Sequence, residues 1–99
     1  MQPRMSERRL SARKTVNSAT DLFLDERSIR CTLANISRGG ALLEIDPSVS
    51  QGLGDSDLGK EATFRLQSKS RRMRDYTGEI IRLYERHDVL YVALRFWRK

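Results

Sequence analysis

The feature that most constrains the fold of this chain is a two-residue alternation of apolar and polar side chains. Apolar residues occupy every second position in runs such as Ile29, Cys31 and Leu33, and again in the run that ends at Phe96. Successive side chains of a β-strand point to opposite faces, so this period indicates strands with one buried face and one solvated face. A helix would need a period of about 3.6 residues.

Six segments with this character follow one another along the chain. They cover residues 16–24, 29–33, 41–45, 62–67, 76–84 and 90–96, with short polar turns between most of them. The 99 residues suffice for one domain with a core of its own. A small closed barrel suits this pattern because closure leaves no exposed strand edge. The sequence therefore predicts an all-β fold, a six-stranded antiparallel β-barrel.

Two interruptions of the alternation are informative. In the second segment Leu33 is followed by apolar Ala34 and Ile36, a change of parity that a β-bulge would produce directly before Asn35. Between Pro47 and Gly59 the chain is rich in Ser, Gly and Asp and poor in apolar residues. This second stretch predicts a long, flexible loop.

The charge is unevenly distributed along the chain. The net charge is +6, and 15 of the 19 basic residues are arginine. Arginine suits phosphates and guanine edges because its guanidinium donates in a planar fork, although a solvated surface has the same composition. Residues 1–14 combine basic side chains with few apolar ones, which predicts a flexible basic arm before a barrel domain at 15–99.

Several classes of protein do not fit this composition. No apolar run is long enough for a membrane span, and no apolar stretch follows the N-terminal arginines as in a signal peptide. Cys31 has no second cysteine to pair with and is expected in the core. We therefore expect a cytoplasmic protein without membrane insertion.

Catalytic and metal-binding roles are also poorly supported. His87 is the single histidine and lies among charged residues in an apparent turn, so it has no partners for a metal site. No Ser–His or Cys–His pair is suggested, and the carboxylates are scattered through turns and solvated faces. We expect no enzymatic activity, no metal and no cofactor.

Two clusters of polar residues contain the side chains best suited to bind a ligand. The first is Arg8-Arg9-Leu10-Ser11-Ala12-Arg13 and the second is Asn35-Ile36-Ser37-Arg38-Gly39-Gly40. Guanidinium groups can bind phosphates and lie on purine rings, while an amide oxygen and a hydroxyl can accept from a base edge. A Gly-Gly pair permits a turn with positive φ and a close approach to a ligand.

These clusters resemble the RxxxR and [D/N]xSxxG motifs of the PilZ domain, a bacterial receptor module for the second messenger cyclic di-GMP. Arg9 and Arg13 match the first motif, and Asn35, Ser37 and Gly40 match the second. The resemblance continues into the late segments 78–82 and 92–96, with Ala93 where the family usually has glycine, and so spans residues 8–97. It implies a PilZ-like barrel, here with little or no C-terminal helix.

The resemblance also implies a ligand and a site. The ligand would be cyclic di-GMP, bound by Arg8, Arg9, Arg13, Asn35, Ser37, Gly39 and Gly40. An arginine at the position of Arg8 accompanies, in this family, the binding of two intercalated ligand molecules; the alternative is that Arg8 points to solvent. Binding would order the N-terminal arm and signal to a protein effector that the sequence does not identify, with motility, exopolysaccharide or biofilm formation as output.

Two other functions remain as alternatives. A pI of about 10.1 is typical of nucleic-acid-binding barrels, but Phe64 and Phe96 lie at core parity, which leaves no stacking surface and makes nucleic acid an unlikely partner. A PilZ-like protein-interaction module without nucleotide binding is the second alternative.

Two further features have open roles. Trp97 would either pack into the barrel or lie near the nucleotide, and packing is the preferred prediction. The basic turn at 69–74 is either solvated or binds an acidic partner.

Overall fold

The computed structural model describes residues 14–67 and 70–97, with side chains from Asn17 onward. Six antiparallel strands form a closed barrel in the order β1-β2-β3-β6-β5-β4. The strands are β1 (Lys14–Leu24), β2 (Arg27–Ile36), β3 (Gly40–Ile45), β4 (Glu61–Gln67), β5 (Met73–Arg86) and β6 (Val89–Phe96). The predicted all-β, six-stranded antiparallel barrel is therefore confirmed.

The core is built from alternate residues of all six strands, as the two-residue period requires. Phe64 is fully buried and stacks on Tyr76 with ring centroids 5.2 Å apart, and Phe96 packs against both rings. Cys31 is 4 % exposed, and its burial raises the pKa of the thiol to about 12. The thiol is thus a neutral core group, as expected from its position in the alternation.

The predicted bulge in β2 is present. Leu33 pairs with Leu43 of β3, whereas Asn35 pairs with Leu42, so Ala34 is the extra residue. A second bulge lies in β5, where the register with β6 shifts between Ile80 and Arg82. The segment 76–84 was predicted to be one regular strand, so this second bulge was not predicted. Each bulge changes which side chains face the outside of the barrel.

The connection between β3 and β4 is ordered, so the prediction of a flexible loop was wrong. It contains two short 3₁₀ helices, Pro47–Val49 and Asp55–Asp57. Leu53 packs into the core, and the carboxylate of Asp57 is buried against Arg27 and accepts a hydrogen bond from the N–H of Gly54 at 3.1 Å. Two buried side chains thus hold a segment whose composition is otherwise typical of a flexible loop.

Candidate functional site

The turn between β2 and β3 is held against the end of β6. The N–H of Ser37 donates to the carbonyl oxygen of Gly40 at 2.8 Å, and the N–H of Phe96 donates to the carbonyl oxygen of Gly39 at 2.8 Å. These two hydrogen bonds connect the second sequence cluster to the last strand. The position of the turn therefore depends on a residue more than fifty positions away in the chain.

The Ser37 hydroxyl helps to shape this turn. Its oxygen accepts from the N–H of Gly39 at 3.3 Å, and the hydroxyl lies 3.4 Å from the carbonyl oxygen of Gly40, to which it donates. A serine hydroxyl oxygen has two lone pairs, so one acceptor position remains for a ligand. Ser37 is thus part of the turn before any ligand binds.

Gly39 and Gly40 differ in whether the surrounding structure leaves room for a side chain. Neither Gly39 nor Gly40 has positive φ, so the prediction that the pair provides a positive-φ turn was wrong. Gly40 lies against β6, where an added Cβ would collide with the carbonyl oxygen of Leu94. An added Cβ at Gly39 would meet no atom within 4 Å. Strand packing requires Gly40, whereas at Gly39 the absence of a side chain leaves the surface open.

Asn35 follows the β2 bulge and is partly buried. Its backbone pairs with Leu42 on one side and with Thr15 on the other. Among the described residues its side-chain amide has no hydrogen-bond partner. The amide oxygen of Asn35 is therefore available to accept from a bound group.

The first sequence cluster cannot be compared directly, because Arg8, Arg9 and Arg13 lie outside the described residues. The chain that follows them is described: Lys14 begins β1 and pairs with Ile36 at the end of β2. Lys14 is the one residue of the expected arm, 1–14, that the structure includes. The chain therefore enters the barrel beside the turn that follows Asn35.

A groove of about 490 Å³, the Arg82 groove, lies on the outer face of β3, β6 and β5 next to this turn. Its lining includes Ser37, Gly39, Leu42, Arg82 and Arg95. Arg82 was not among the site residues predicted from the sequence. Two adjacent isoleucines, 80 and 81, break the alternation there just as Leu33 and Ala34 do in β2. That signal was available in the sequence.

The Arg82 guanidinium makes a cation–π contact with the ring of Tyr84, which in turn stacks on Tyr91. Its guanidinium carbon lies 5.2 Å from the ring centroid of Tyr84, and Tyr84 stacks on Tyr91 with centroids 5.0 Å apart. Such a contact restricts the guanidinium without neutralising its charge. No acidic side chain in the described part of the chain forms a salt bridge with Arg82. Arg82 thus presents a positioned positive charge to the groove.

A second groove of about 690 Å³, the Trp97 groove, lies on the other side of Gly39. It is lined by Arg38, Gly39, Glu79, Arg95, Phe96 and Trp97. Trp97 is 53 % exposed, so the preferred prediction that it packs into the barrel was wrong. Phe96 already occupies the core position at the end of β6, and the next residue therefore lies outside. The two grooves share Gly39 and Arg95.

The described residues show no group of three or more His, Cys, Asp or Glu side chains that converge as a metal site would require. Across the same residues, no helix is long and apolar enough to cross a membrane. Together the two grooves present guanidinium groups, an exposed indole, one carboxylate and open backbone.

The PilZ domain model matches residues 7–99 of this chain. The chain therefore belongs to the PilZ domain family, whose members are binding modules rather than enzymes. The match covers both sequence clusters and all six strands.

Among solved structures, the chain is similar to the Bacillus subtilis inhibitor of motility, MotI/DgrA, with a TM-score of 0.69 and 19 % sequence identity. The similarity covers 99 % of this chain and 48 % of that protein, so the chain spans about half the length of its structural relative. At this identity the similarity establishes the fold. No curated protein sequence matches the chain.

Proposed function

We propose that this protein is a receptor for cyclic di-GMP and acts as an adaptor toward a protein effector. One observation carries the proposal: the basic segment enters the barrel through Lys14 beside Ile36, next to the turn that carries Asn35 and Ser37. Two grooves with arginine linings meet at the same turn. Membership of the PilZ family supports the choice of ligand.

The proposed role of Arg9 and Arg13 is to bind the phosphates of the ligand and to lie on its guanine faces. Four residues separate Arg9 from Lys14, so the Cα of Arg9 is at most about 18 Å from the Cα of Lys14, which lies beside the turn. That reach includes both grooves at Gly39. Bidentate hydrogen bonds from guanidinium to phosphate are strong because both partners are charged.

The residues of the turn would contact a base edge and the ligand backbone. The amide oxygen of Asn35 can accept from guanine N1–H or N2–H₂, and the remaining lone pair of the Ser37 hydroxyl can accept as well. The open surface at Gly39 admits the ligand close to the main chain. Gly40 contributes by keeping β3 in contact with β6. Arg82 adds a positive charge on the far side of the turn.

We further propose that two intercalated ligand molecules bind per chain and that Arg8 offsets the added charge. Two molecules bring four phosphates, whose repulsion a third guanidinium would reduce. Ligand binding would then fasten the segment 1–14 onto the barrel and create a new surface for a cytoplasmic effector. Control of motility, exopolysaccharide synthesis or biofilm formation is the proposed output.

Isothermal titration calorimetry with cyclic di-GMP tests the proposal. Arg9→Ala and Arg13→Ala should each weaken binding by about tenfold to a hundredfold, since each removes a charge-assisted contact. Arg86→Ala is the matched control, because Arg86 is exposed at the last position of β5 and lines neither groove. Circular dichroism should show an intact barrel in all three variants.

The same titration distinguishes the alternatives. A wild-type protein that binds a short single-stranded oligonucleotide, with strong salt dependence, in preference to cyclic di-GMP would be a nucleic-acid-binding barrel. A folded wild-type protein that binds neither compound would be a protein-interaction module. Unchanged affinity for cyclic di-GMP in Arg9→Ala or Arg13→Ala would contradict the assignment of the site.

A further inference from the structure

We propose that the Trp97 groove is a guanine subsite, in which the Trp97 indole stacks on the base and the Glu79 carboxylate accepts from its Watson–Crick edge. The inference rests on the proposed function, since it concerns the same ligand. Neither Trp97 nor Glu79 belongs to the RxxxR or [D/N]xSxxG motifs. The subsite is defined by the structure, which joins the β2–β3 turn to β5 and β6 at this groove.

Trp97 provides an aromatic surface that the fold itself does not use. About half of the residue is exposed, and the core position at this end of β6 belongs to Phe96. The hydrogen bond from the N–H of Phe96 to the carbonyl oxygen of Gly39 fixes the main chain just before Trp97 relative to the turn. Every nucleobase has a flat π-face that can stack on such a ring.

Glu79 provides the group that distinguishes guanine from adenine. Its Oε1 accepts from Nη2 of Arg95 at 3.2 Å, and its Oε2 has no hydrogen-bond partner among the described residues. Guanine carries two neighbouring donors, N1–H and N2–H₂, and an ionised carboxylate is acceptor-only. Adenine has an acceptor at N1, which a carboxylate would repel. A carboxylate beside an exposed indole therefore selects guanine.

The charges around Glu79 suit the rest of the nucleotide. Arg38 and Arg95 line the same groove, and Arg38 forms no salt bridge with another described residue. These guanidinium groups can bind guanine O6 and N7 or a phosphate. The groove thus contains a stacking ring, an acceptor for the base edge and positive charge for the remaining acceptors of the ligand.

Gly39 connects this subsite to the Arg82 groove. Gly39 has no positive φ, so its backbone does not require glycine, and a side chain there would extend into open space between the grooves. Without that side chain, a ligand with two guanines can lie across the turn and place one base on each side. Glycine at position 39 is therefore explained by the space that the ligand needs across the turn, and not by the backbone conformation of the turn.

Trp97 is the single tryptophan of the chain, so its fluorescence reports on the groove alone. Titration of the wild type with cyclic di-GMP should quench this emission in step with the calorimetric heat. Trp97→Ala should weaken binding by roughly tenfold or more, and Trp97→Phe should weaken it less because a ring remains. Thermal unfolding should show that both variants are folded.

Glu79→Gln tests the base edge, with Glu61→Gln as its matched control. Glu61 pairs with Glu79 across β4 and β5 but does not line the groove, so the control removes one neighbouring charge without touching the subsite. Glu79→Gln should weaken cyclic di-GMP binding by roughly tenfold and reduce the preference for cyclic di-GMP over cyclic di-AMP. Glu61→Gln should change neither quantity.

The outcomes separate this inference from the proposed function. Calorimetric binding of cyclic di-GMP without a change in Trp97 emission, with Trp97→Ala and Glu79→Gln both binding as the wild type, would overturn the guanine subsite and leave the receptor function in place. Absence of calorimetric binding by the folded wild type would overturn both. Equal losses in Glu79→Gln and Glu61→Gln would assign the effect to general charge and also overturn the subsite.

Discussion

The guanidinium of Arg27 donates two hydrogen bonds to the carboxylate of Asp57, at 2.8 Å to Oδ1 and 3.3 Å to Oδ2. This contact joins the start of β2 to the connection between β3 and β4. The Arg27 guanidinium holds the pKa of Asp57 well below its usual range, and hydrogen bonds from Gly54 and Lys60 act in the same direction against the effect of burial. We therefore expect the Arg27–Asp57 pair to contribute to the free energy of unfolding and to its dependence on pH.

Asp57→Asn should lower the free energy of unfolding by about 3 kcal/mol, because Arg27, itself three-quarters buried, would lose its buried charged partner and keep only the exposed Asp25. Urea-induced unfolding measures the change. Asp25→Asn is the control: Asp25 also pairs with Arg27 and Lys60, but its side chain is 52 % exposed and solvent screens the pair, so the loss of stability should be clearly smaller than in Asp57→Asn. Equal losses in the two variants would contradict the importance assigned to burial.

The stability of the wild type should fall in acid more steeply than that of Asp57→Asn. A carboxyl whose pKa is lowered in the folded state stabilises the protein above its unfolded pKa, here about 3.8, and this contribution is lost as the pH falls toward the folded pKa. Urea-induced unfolding between about pH 5 and pH 2 should therefore show that the free energies of unfolding of the two proteins converge. Parallel curves would mean that Asp57 keeps an ordinary pKa in the folded protein.

Alanine at the two adjacent glycines should have opposite effects on folding. Gly40→Ala places a Cβ against the carbonyl oxygen of Leu94 and should cost about 1–3 kcal/mol or more. Gly39→Ala meets no atom and needs no positive φ, so stability should hold or rise by up to about 1 kcal/mol through the unfolded state. Thermal and urea unfolding of both variants check this, and a similar loss in each would contradict it.

Substitution of Asn35 tests the proposed contact with a guanine edge. A carboxylate can accept from both guanine donors, whereas the amide has one accepting oxygen. Asn35→Asp should therefore hold or improve the affinity for cyclic di-GMP, and Asn35→Ala should weaken it by roughly tenfold. Calorimetry measures all three proteins. Identical affinities would place Asn35 away from the base.

The stoichiometry of binding tests the role proposed for Arg8. The wild type should bind two cyclic di-GMP molecules per chain, and Arg8→Leu should shift the ratio toward one while it retains binding. The reason is that the variant loses a charge that offsets the repulsion between four phosphates. Calorimetry with an accurately known protein concentration gives the ratio. One ligand per chain in the wild type would refute the role of Arg8 without affecting the receptor assignment.

The strand content, the barrel and the β2 bulge were predictable because the two-residue alternation is local. It states which residues face inward whatever the strand order, and so it also placed Phe64 and Phe96 in the core. The bulge before Asn35 was visible in the sequence because Leu33 and Ala34, two adjacent apolar residues, interrupt the alternation. The candidate turn 35–40 was equally visible, since its residues are contiguous in the chain.

Only the tertiary structure decided what surrounds that turn. The pairing of β3 with β6 and of β6 with β5 brings Arg82, Glu79 and Trp97 to a segment that lies far from them in the sequence. The same applies to Asp57, whose polar loop is ordered by Arg27 on another strand, and to Gly40, which is required by the backbone of Leu94. A local period encodes the face on which each residue lies, but strand order and closure determine its neighbours.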